Sequence, residues 1–454
     1  MRSPSAAAWL LTLCLAPAVA GDPPATPAGD DSSAAIEIPI PEGTPDPAPG
    51  PLFEPITPQE AAAAELLPPC ANQKARVEAI KAALERRPDD PALHYYLSGA
   101  WAACGNIVAA LAQIDRVIAL GDGFMPVRDL GFERIWDDAR FRARRIAMEL
   151  ALPEVTDAAL SAALPNADLI PEGIAVDPSN GRLFLGSAAQ GRIVEVGDKG
   201  EPLPFAGPTS GLDQVLGMTV DTARGWLYVV NTNRLIPKAD APPVNAVYAF
   251  DLRTKVRIRL LDAAGAGQLN DVAVAADGTV FASDSRDGAI YRANLKDTGL
   301  ALWMPPDTFP GANGLALSDD GRALYVAHAT GIARVELATG DIRVRIGNAT
   351  RETLAAIDGL YQRAHKLYGV QNVTNPGRVI EIQLDAAGTT VTGVETMLSH
   401  HRPELAEPTA AAFDGNDLLV LANSFFGRLR SDGTLRDPGT LKGPIILAVP
   451  LVAP

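Results

Sequence analysis

What this 454-residue chain lacks narrows the field first. It has no basic run. Lys+Arg total 39 against Asp+Glu 54, a net charge of -15, so nucleic-acid binding has no electrostatic footprint. There is no Gly-x-Ser-x-Gly elbow, no phosphate-binding glycine loop and no dinucleotide fingerprint in a strand-to-helix setting. Past the first twenty residues no apolar run is long enough to span a bilayer. Cysteine is scarce, with 3 in all.

The start of the chain has the form of an export signal. Arg2 supplies a minimal positive end, Ala6 to Leu15 an apolar stretch, and Ala18-Val19-Ala20 a small-x-small cleavage site. Cys14 lies inside the apolar stretch behind Leu13, which is not a lipidation context. Residues 1–20 are therefore expected to be a cleaved signal peptide, and the protein periplasmic or secreted. Cleavage leaves Cys70 and Cys104, either as one disulfide, which an oxidising compartment permits, or as two buried thiols.

Residues 21–58 are rich in Pro, Ala, Gly and Asp without an apolar period and read as a disordered tether. Residues 59–152 are helical in pattern. Leu93, Tyr96, Leu97, Ala100 and Trp101 recur at three- and four-residue spacing, Gly105-Asn106 breaks the run, and Ala109, Ala110, Ile114, Val117 and Ile118 form a second stripe. Asp90 before Pro91 is a helix start. Helix, glycine turn, helix at this length resembles a tetratricopeptide hairpin, with Leu97, Gly105, Ala110 and Ile114 at consensus positions and Ser98 in place of the usual glycine. Such a segment either offers a groove to a protein partner or serves as a small packing domain.

From about Ala167 the period changes to two. One pattern, apolar strand, Asp/Gly turn, apolar strand, begins at Gly173, Gly217, Asp271, Gly314, Gly359 and Ala410. Six copies at near-regular intervals, each followed by further strand-like runs such as Ile193–Val196, match the blades of a propeller. The fold class expected is mainly β: a six-bladed β-propeller over residues 167–454, preceded by the small α-helical domain. Ile445 to Val449 is left to complete the last blade or to pair with the N-terminal strand.

In a propeller the residues just before each innermost strand meet around the axis. Read down the repeats, that position holds Glu172, Gly217, Asn270, Asn313, Asp358 and Pro408-Thr409. Two carboxylates and two carboxamides there suit a hard cation that takes several oxygens, Ca²⁺ above all. No His or Cys joins the ring, which argues against zinc or copper. A second ring, at the ends of the second strands, holds Asn231, Asp284, His328, Asn372 and Asn423. These either line a ligand pocket or cap turns.

The segments Leu169-Ile170-Pro171-Glu172-Gly173, Leu269-Asn270-Asp271, Ala312-Asn313-Gly314-Leu315 and Ile357-Asp358-Gly359 resemble, in order and placement, the metal-site signatures of the senescence-marker-protein/gluconolactonase (regucalcin-like) propellers. The resemblance implies one divalent ion on Glu172, Asn313 and Asp358, with Asn270 meeting the ion through water or binding substrate. Where sugar-lactonase members carry a substrate-contacting Arg, this chain has Gln268. The expectation is metal-dependent hydrolysis of a lactone or related ester. Asp358 is the candidate base and His328 the runner-up, with Asp284, Asn372 and Asn423 beside the substrate. The other expectation is a calcium-stabilised propeller that binds a ligand or protein without turnover.

Overall fold

The computed structural model describes residues 52–237 and 242–451. The expected signal peptide and most of the tether lie outside them. Five α-helices open the described chain: Pro58–Glu65, Lys74–Arg86, Pro91–Ala103, Ile107–Leu120 and Ala139–Ala151. Their starts are written locally. Thr57 and Glu60 form a reciprocal capping box, Asp90 accepts the N–H groups of Ala92 and Leu93 ahead of Pro91, and Asn106 caps the helix that follows the Gly105 turn. Cys70 and Cys104 are joined in a disulfide that ties the connection between the first two helices to the end of the helix Pro91–Ala103.

The strands form six sheets arranged as blades, a six-bladed β-propeller, antiparallel except where the short Gly347–Asn348 strand pairs in parallel with Thr390–Ser399 in blade five. Their innermost strands are Pro171–Asp177, Gln214–Asp221, Leu269–Val274, Leu315–Leu317, Ile357–Arg363 and Ala411–Asp414. The period-two pattern explains how the blades stack. On each second strand, adjacent apolar residues face opposite neighbours: Leu227 packs toward blade one and Tyr228 toward blade three, and Leu324 and Tyr325 divide in the same way between blades three and five. The result is one apolar core at every blade junction, including blade six against blade one.

Closure uses both ends of the chain. Ile445–Pro450 is the third strand of blade six, and it pairs with Ala159–Ala163, the fourth. The propeller's sheets therefore begin ahead of residue 167. Ala159–Ala163 is exposed almost throughout, so it carries no apolar alternation by which a sequence reading could find it.

The helices sit on blades four and five. Ala329 and Ala355, both from loops of those blades, lie in the same apolar core as the helices. The Tyr96 hydroxyl donates to the Ala329 carbonyl at 2.6 Å, the Met125 N–H to the Thr374 carbonyl at 2.6 Å, and Arg345 Nη1 pairs with the buried carboxylate of Asp90 at 2.7 Å.

Candidate functional site

Around the axis the innermost strands nearly touch. Gly173 and Gly314 have to be glycine because a Cβ at either would run into the backbone of the next blade, at Leu216 and at Asp358–Leu360 respectively. Hydrogen bonds stitch the ring across blade boundaries. Asp271 Oδ2 in blade three accepts the Leu315 N–H of blade four at 2.8 Å, the Gly314 N–H donates to the Asp358 carbonyl in blade five at 2.9 Å, and the Ala411 N–H of blade six donates to the Tyr361 hydroxyl at 2.7 Å. They enclose a central cavity of ≈ 230 Å³. Its wall mixes apolar side chains, among them Ile174, Met218, Leu315 and Phe413, with polar groups that include Asp271 and Tyr361.

Above this cavity lies a cluster of acidic groups. Asp358 is held at both oxygens by amides: Asn313 Nδ2 donates to Oδ1 and Asn372 Nδ2 to Oδ2, each at 2.6 Å. Asn372 Nδ2 also donates to the Pro408 carbonyl at 2.9 Å. Among the described residues neither amide oxygen accepts a recorded hydrogen bond, so each can serve as a neutral ligand. Glu172 is close enough to Asp358 for the two to repel, with Thr409 beside it, and its Oε2 is buried without a hydrogen-bond partner. Asp271 completes the group. Among the described residues no Lys or Arg is recorded in an ion pair with Glu172, Asp271 or Asp358.

The electrostatic consequence is direct. Burial, then repulsion from Asp358, raises the Glu172 carboxyl well above the ordinary carboxylate range. Burial pushes Asp271 up to about 7. Burial also raises Asp358, to about 6, although the Asn372 and Asn313 amides pull the other way. Burial and the same acids hold the Tyr361 hydroxyl protonated far above its usual range. The three carboxylates do not bring three oxygens within 4.8 Å of one another, so the donor set is Glu172, with its orphaned Oε2, and Asp358 together with the neighbouring amides, oxygen donors of the kind a hard divalent cation takes.

The sequence-derived residues separate into two groups. Glu172, Asn313 and Asp358 come together, and Asn372 joins them from the second ring. Asn270 is buried at the start of the blade-three strand, and among the described residues its side chain makes no recorded hydrogen bond. The other second-ring residues are committed to the scaffold. Asp284 accepts the N–H groups of Gly267, Gln268, Arg286 and Asp287 and so organises a turn. Asn423 links the Gly443 carbonyl to the Ile445 N–H, and Asn231 does the same for Gly211 and Asp213.

His328 is corrected most. Its Nε2 faces the Val344 carbonyl at 2.9 Å and its Nδ1 accepts the Thr330 N–H at 3.3 Å. Phe309 packs on the ring, and burial pushes its pKa down to about 4. Both nitrogens are occupied away from Asp358, so this imidazole is a packed strand end and no base. Asp271 went unread. Its signal was present: blade three has Asp in the slot where blades one, two, four and five have Gly173, Gly217, Gly314 and Gly359.

No protein-family model matches the chain, and no curated protein matches it. Solved structures similar to it include one from Thermus thermophilus named for a glucose dehydrogenase, at 16% identity and TM-score 0.44, covering 64% of this chain and 100% of that one. A gluconolactonase from Xanthomonas campestris has 17% identity and TM-score 0.43, with 66% of this chain and 98% of that one covered. A PQQ-bound aldose sugar dehydrogenase from Streptomyces coelicolor has 15% identity and TM-score 0.43, covering 65% and 99%.

Proposed function

We propose that the protein is an exported, metal-dependent hydrolase of a lactone or related ester, working at the propeller mouth. The observation that carries this reading is the uncompensated acidic cluster on the axis, with Glu172 Oε2 buried and unpartnered. Glu172, Asn313 and Asp358 would hold one divalent cation, most suitably Ca²⁺, with Asn270 at its margin. A bound cation supplies Lewis acidity toward a carbonyl oxygen.

The remaining chemistry belongs to the chain. Asn313 and Asn372 fix both oxygens of Asp358, so its carboxylate has one orientation relative to anything bound above the cavity. In that orientation Asp358 is the proposed base, receiving the proton of a water at a carboxylate oxygen. Asp271, anchored at Oδ2 by the Leu315 N–H, lines the cavity, where it would position substrate or hold a proton. The helical segment is read as a tetratricopeptide-like unit that offers a surface to a protein partner.

A second reading has its own support. Asp358 already bridges blades four and five through its side chain and its carbonyl. A cation there would clasp the blades in a propeller that binds a ligand without turnover. One experiment separates the two. Purified protein is stripped with chelator, supplemented with Ca²⁺, and given a panel of lactones and aryl esters below its melting temperature, alongside Asp358→Ala. Turnover lost on chelation, restored by Ca²⁺ and absent in the variant is the expected result. Turnover indifferent to both refutes the hydrolase mechanism, and a large thermal shift without any turnover favours the clasp.

A further inference from the structure

A second group of metal-capable side chains lies away from the mouth, where the helices meet blade five. Glu149 is on the helix Ala139–Ala151, and His400 and His401 directly follow the blade-five strand Thr390–Ser399. Among the described residues these three alone, taken as His, Cys, Asp or Glu, bring one donor atom each within 4.8 Å of one another. We propose that Glu149, His400 and His401 form a site for a divalent transition-metal ion such as Zn²⁺, which pins the helical segment to the propeller. The proposal does not rest on the reading of the mouth.

The donor geometry comes first. The Nε2 atoms of both imidazoles converge on a single carboxylate oxygen, Glu149 Oε1, at 2.8 Å for His400 and 3.0 Å for His401. Zinc–nitrogen and zinc–oxygen bonds of about 2.0–2.1 Å in tetrahedral array place ligand atoms roughly 3.3 Å apart. The cluster therefore has to open by only a few tenths of an ångström. The rings lie nearly face to face, with centroids 4.3 Å apart at 33°. Two imidazoles and a carboxylate are a borderline donor set that selects Zn²⁺, Co²⁺, Ni²⁺ or Cu²⁺ over Ca²⁺. All three side chains keep some exposure, so a fourth, water-filled position is accessible.

The surroundings of His401 fit the same role. A metal-bound imidazole usually passes its other N–H to a fixed oxygen. His401 Nδ1 lies 2.9 Å from Ser399 Oγ. That hydroxyl is itself held by Val155, accepting its N–H at 3.1 Å and lying 3.1 Å from its carbonyl. If the single hydroxyl proton goes to the Val155 carbonyl, His401 donates from Nδ1 and turns a lone pair at Nε2 toward the Glu149 carboxylate. A lone pair facing a carboxylate at 3.0 Å repels it, and a metal ion between them, like a proton on Nε2, turns that contact into an attraction. His400 lacks such a partner, since its Nδ1 is buried without one. His401 is therefore the stronger ligand of the two.

The chain's other imidazoles do not compete. His94 uses both nitrogens internally, His328 likewise, and His365 stands apart. The only thiols among the described residues are joined in the disulfide.

The test is Co²⁺ titration of the purified protein with excess Ca²⁺ present, read by visible absorption and followed by displacement with Zn²⁺. Wild type should take up one equivalent with the spectrum of a nitrogen-containing, low-coordinate site, and Zn²⁺ should abolish that spectrum. H401Q and E149Q should lose it. H400Q should retain a weaker form, and S399A should bind roughly 10–100-fold less tightly. Each variant is checked for an unchanged far-ultraviolet circular dichroism spectrum. A spectrum that persists in the H400Q/H401Q double variant overturns the proposal. So does a wild type that binds neither ion, which leaves a hydrogen-bonded clasp alone.

Discussion

Removing the ion from the mouth should make the protein's stability depend on pH in a direction opposite to ordinary acid denaturation. Asp271 moves from an ordinary 3.8 to about 7 in the fold, and Asp358 from 3.8 to about 6. At about 1.4 kcal/mol per tenfold change in acidity, charging these groups without a cation costs roughly 4 and 3 kcal/mol taken singly. They interact, and water in the open mouth screens them, so a joint penalty of ~3 kcal/mol is a reasonable working figure. The sign follows from linkage. Both folded values lie above the unfolded ones, so the folded state holds its protons more tightly. The stability involved is whole below about pH 4 and drains away as pH climbs through 6 and 7. Chelated protein should thus melt several degrees lower at pH 8 than at pH 5, taking about 2 °C per kcal/mol for a large domain. Saturating Ca²⁺ should flatten the profile by neutralising the cluster, and Asp271→Asn should reduce its slope without any ion, leaving the part due to Asp358 and Glu172. Differential scanning fluorimetry from pH 5 to 8, with chelator or Ca²⁺, reads both effects. A chelated protein whose melting temperature is level or rises over that interval would refute the electrostatic account of the mouth.

Asn372→Ala removes the amide that holds Asp358 Oδ2, and should weaken Ca²⁺ binding about 10–100-fold in calorimetric titration with little change in secondary structure. Cys70 and Cys104 close a loop across a separation of 34 residues, so the double Ala variant should lose about 3–4 kcal/mol of stability in the helical segment, measured by chemical denaturation. Asp90→Ala removes a helix cap together with the carboxylate that pairs with Arg87 and Arg345, and should cost ~2–4 kcal/mol, seen as an earlier thermal transition.

How much of this was legible depends on what each residue's neighbours demand. The blades are readable because every second strand must feed two junction cores at once, which enforces strict alternation such as Leu367 against Tyr368. The mouth is readable because strand register alone carries Glu172, Asn313 and Asp358 to the axis. The second ring is ambiguous for a local reason. An Asx at a strand end can hydrogen-bond its own turn, and Asp284, Asn231 and Asn423 do so, while Asn372 reaches across to Asp358 instead. No feature of the strand itself separates these outcomes, because the partner sits on a different strand. The contribution of Ala159–Ala163 to blade six was hidden in the opposite way, by an exposed segment that buries too little to leave a pattern.

The helices and the mouth are physically one construction. Asn372, which grips Asp358, is followed directly by Val373 and Thr374. The Val373 carbonyl receives the Tyr95 hydroxyl at 3.3 Å, and the Thr374 carbonyl receives the Met125 N–H at 2.6 Å, both from the helical side. The same Tyr95 hydroxyl lies 3.2 Å from the Met125 carbonyl, closing a small ring of contacts. A blade-five loop that would otherwise end freely at the mouth is thereby fixed from above by aromatic side chains whose own positions are set by the hairpin core of Tyr95, Phe124 and Phe132. One of the two amides that hold the Asp358 carboxylate, Asn372, is thus backed by residues some 230 to 260 positions earlier than Asp358 in the chain. A partner that engaged the helices, or a metal that pinned them at Glu149, would act on the mouth through this route.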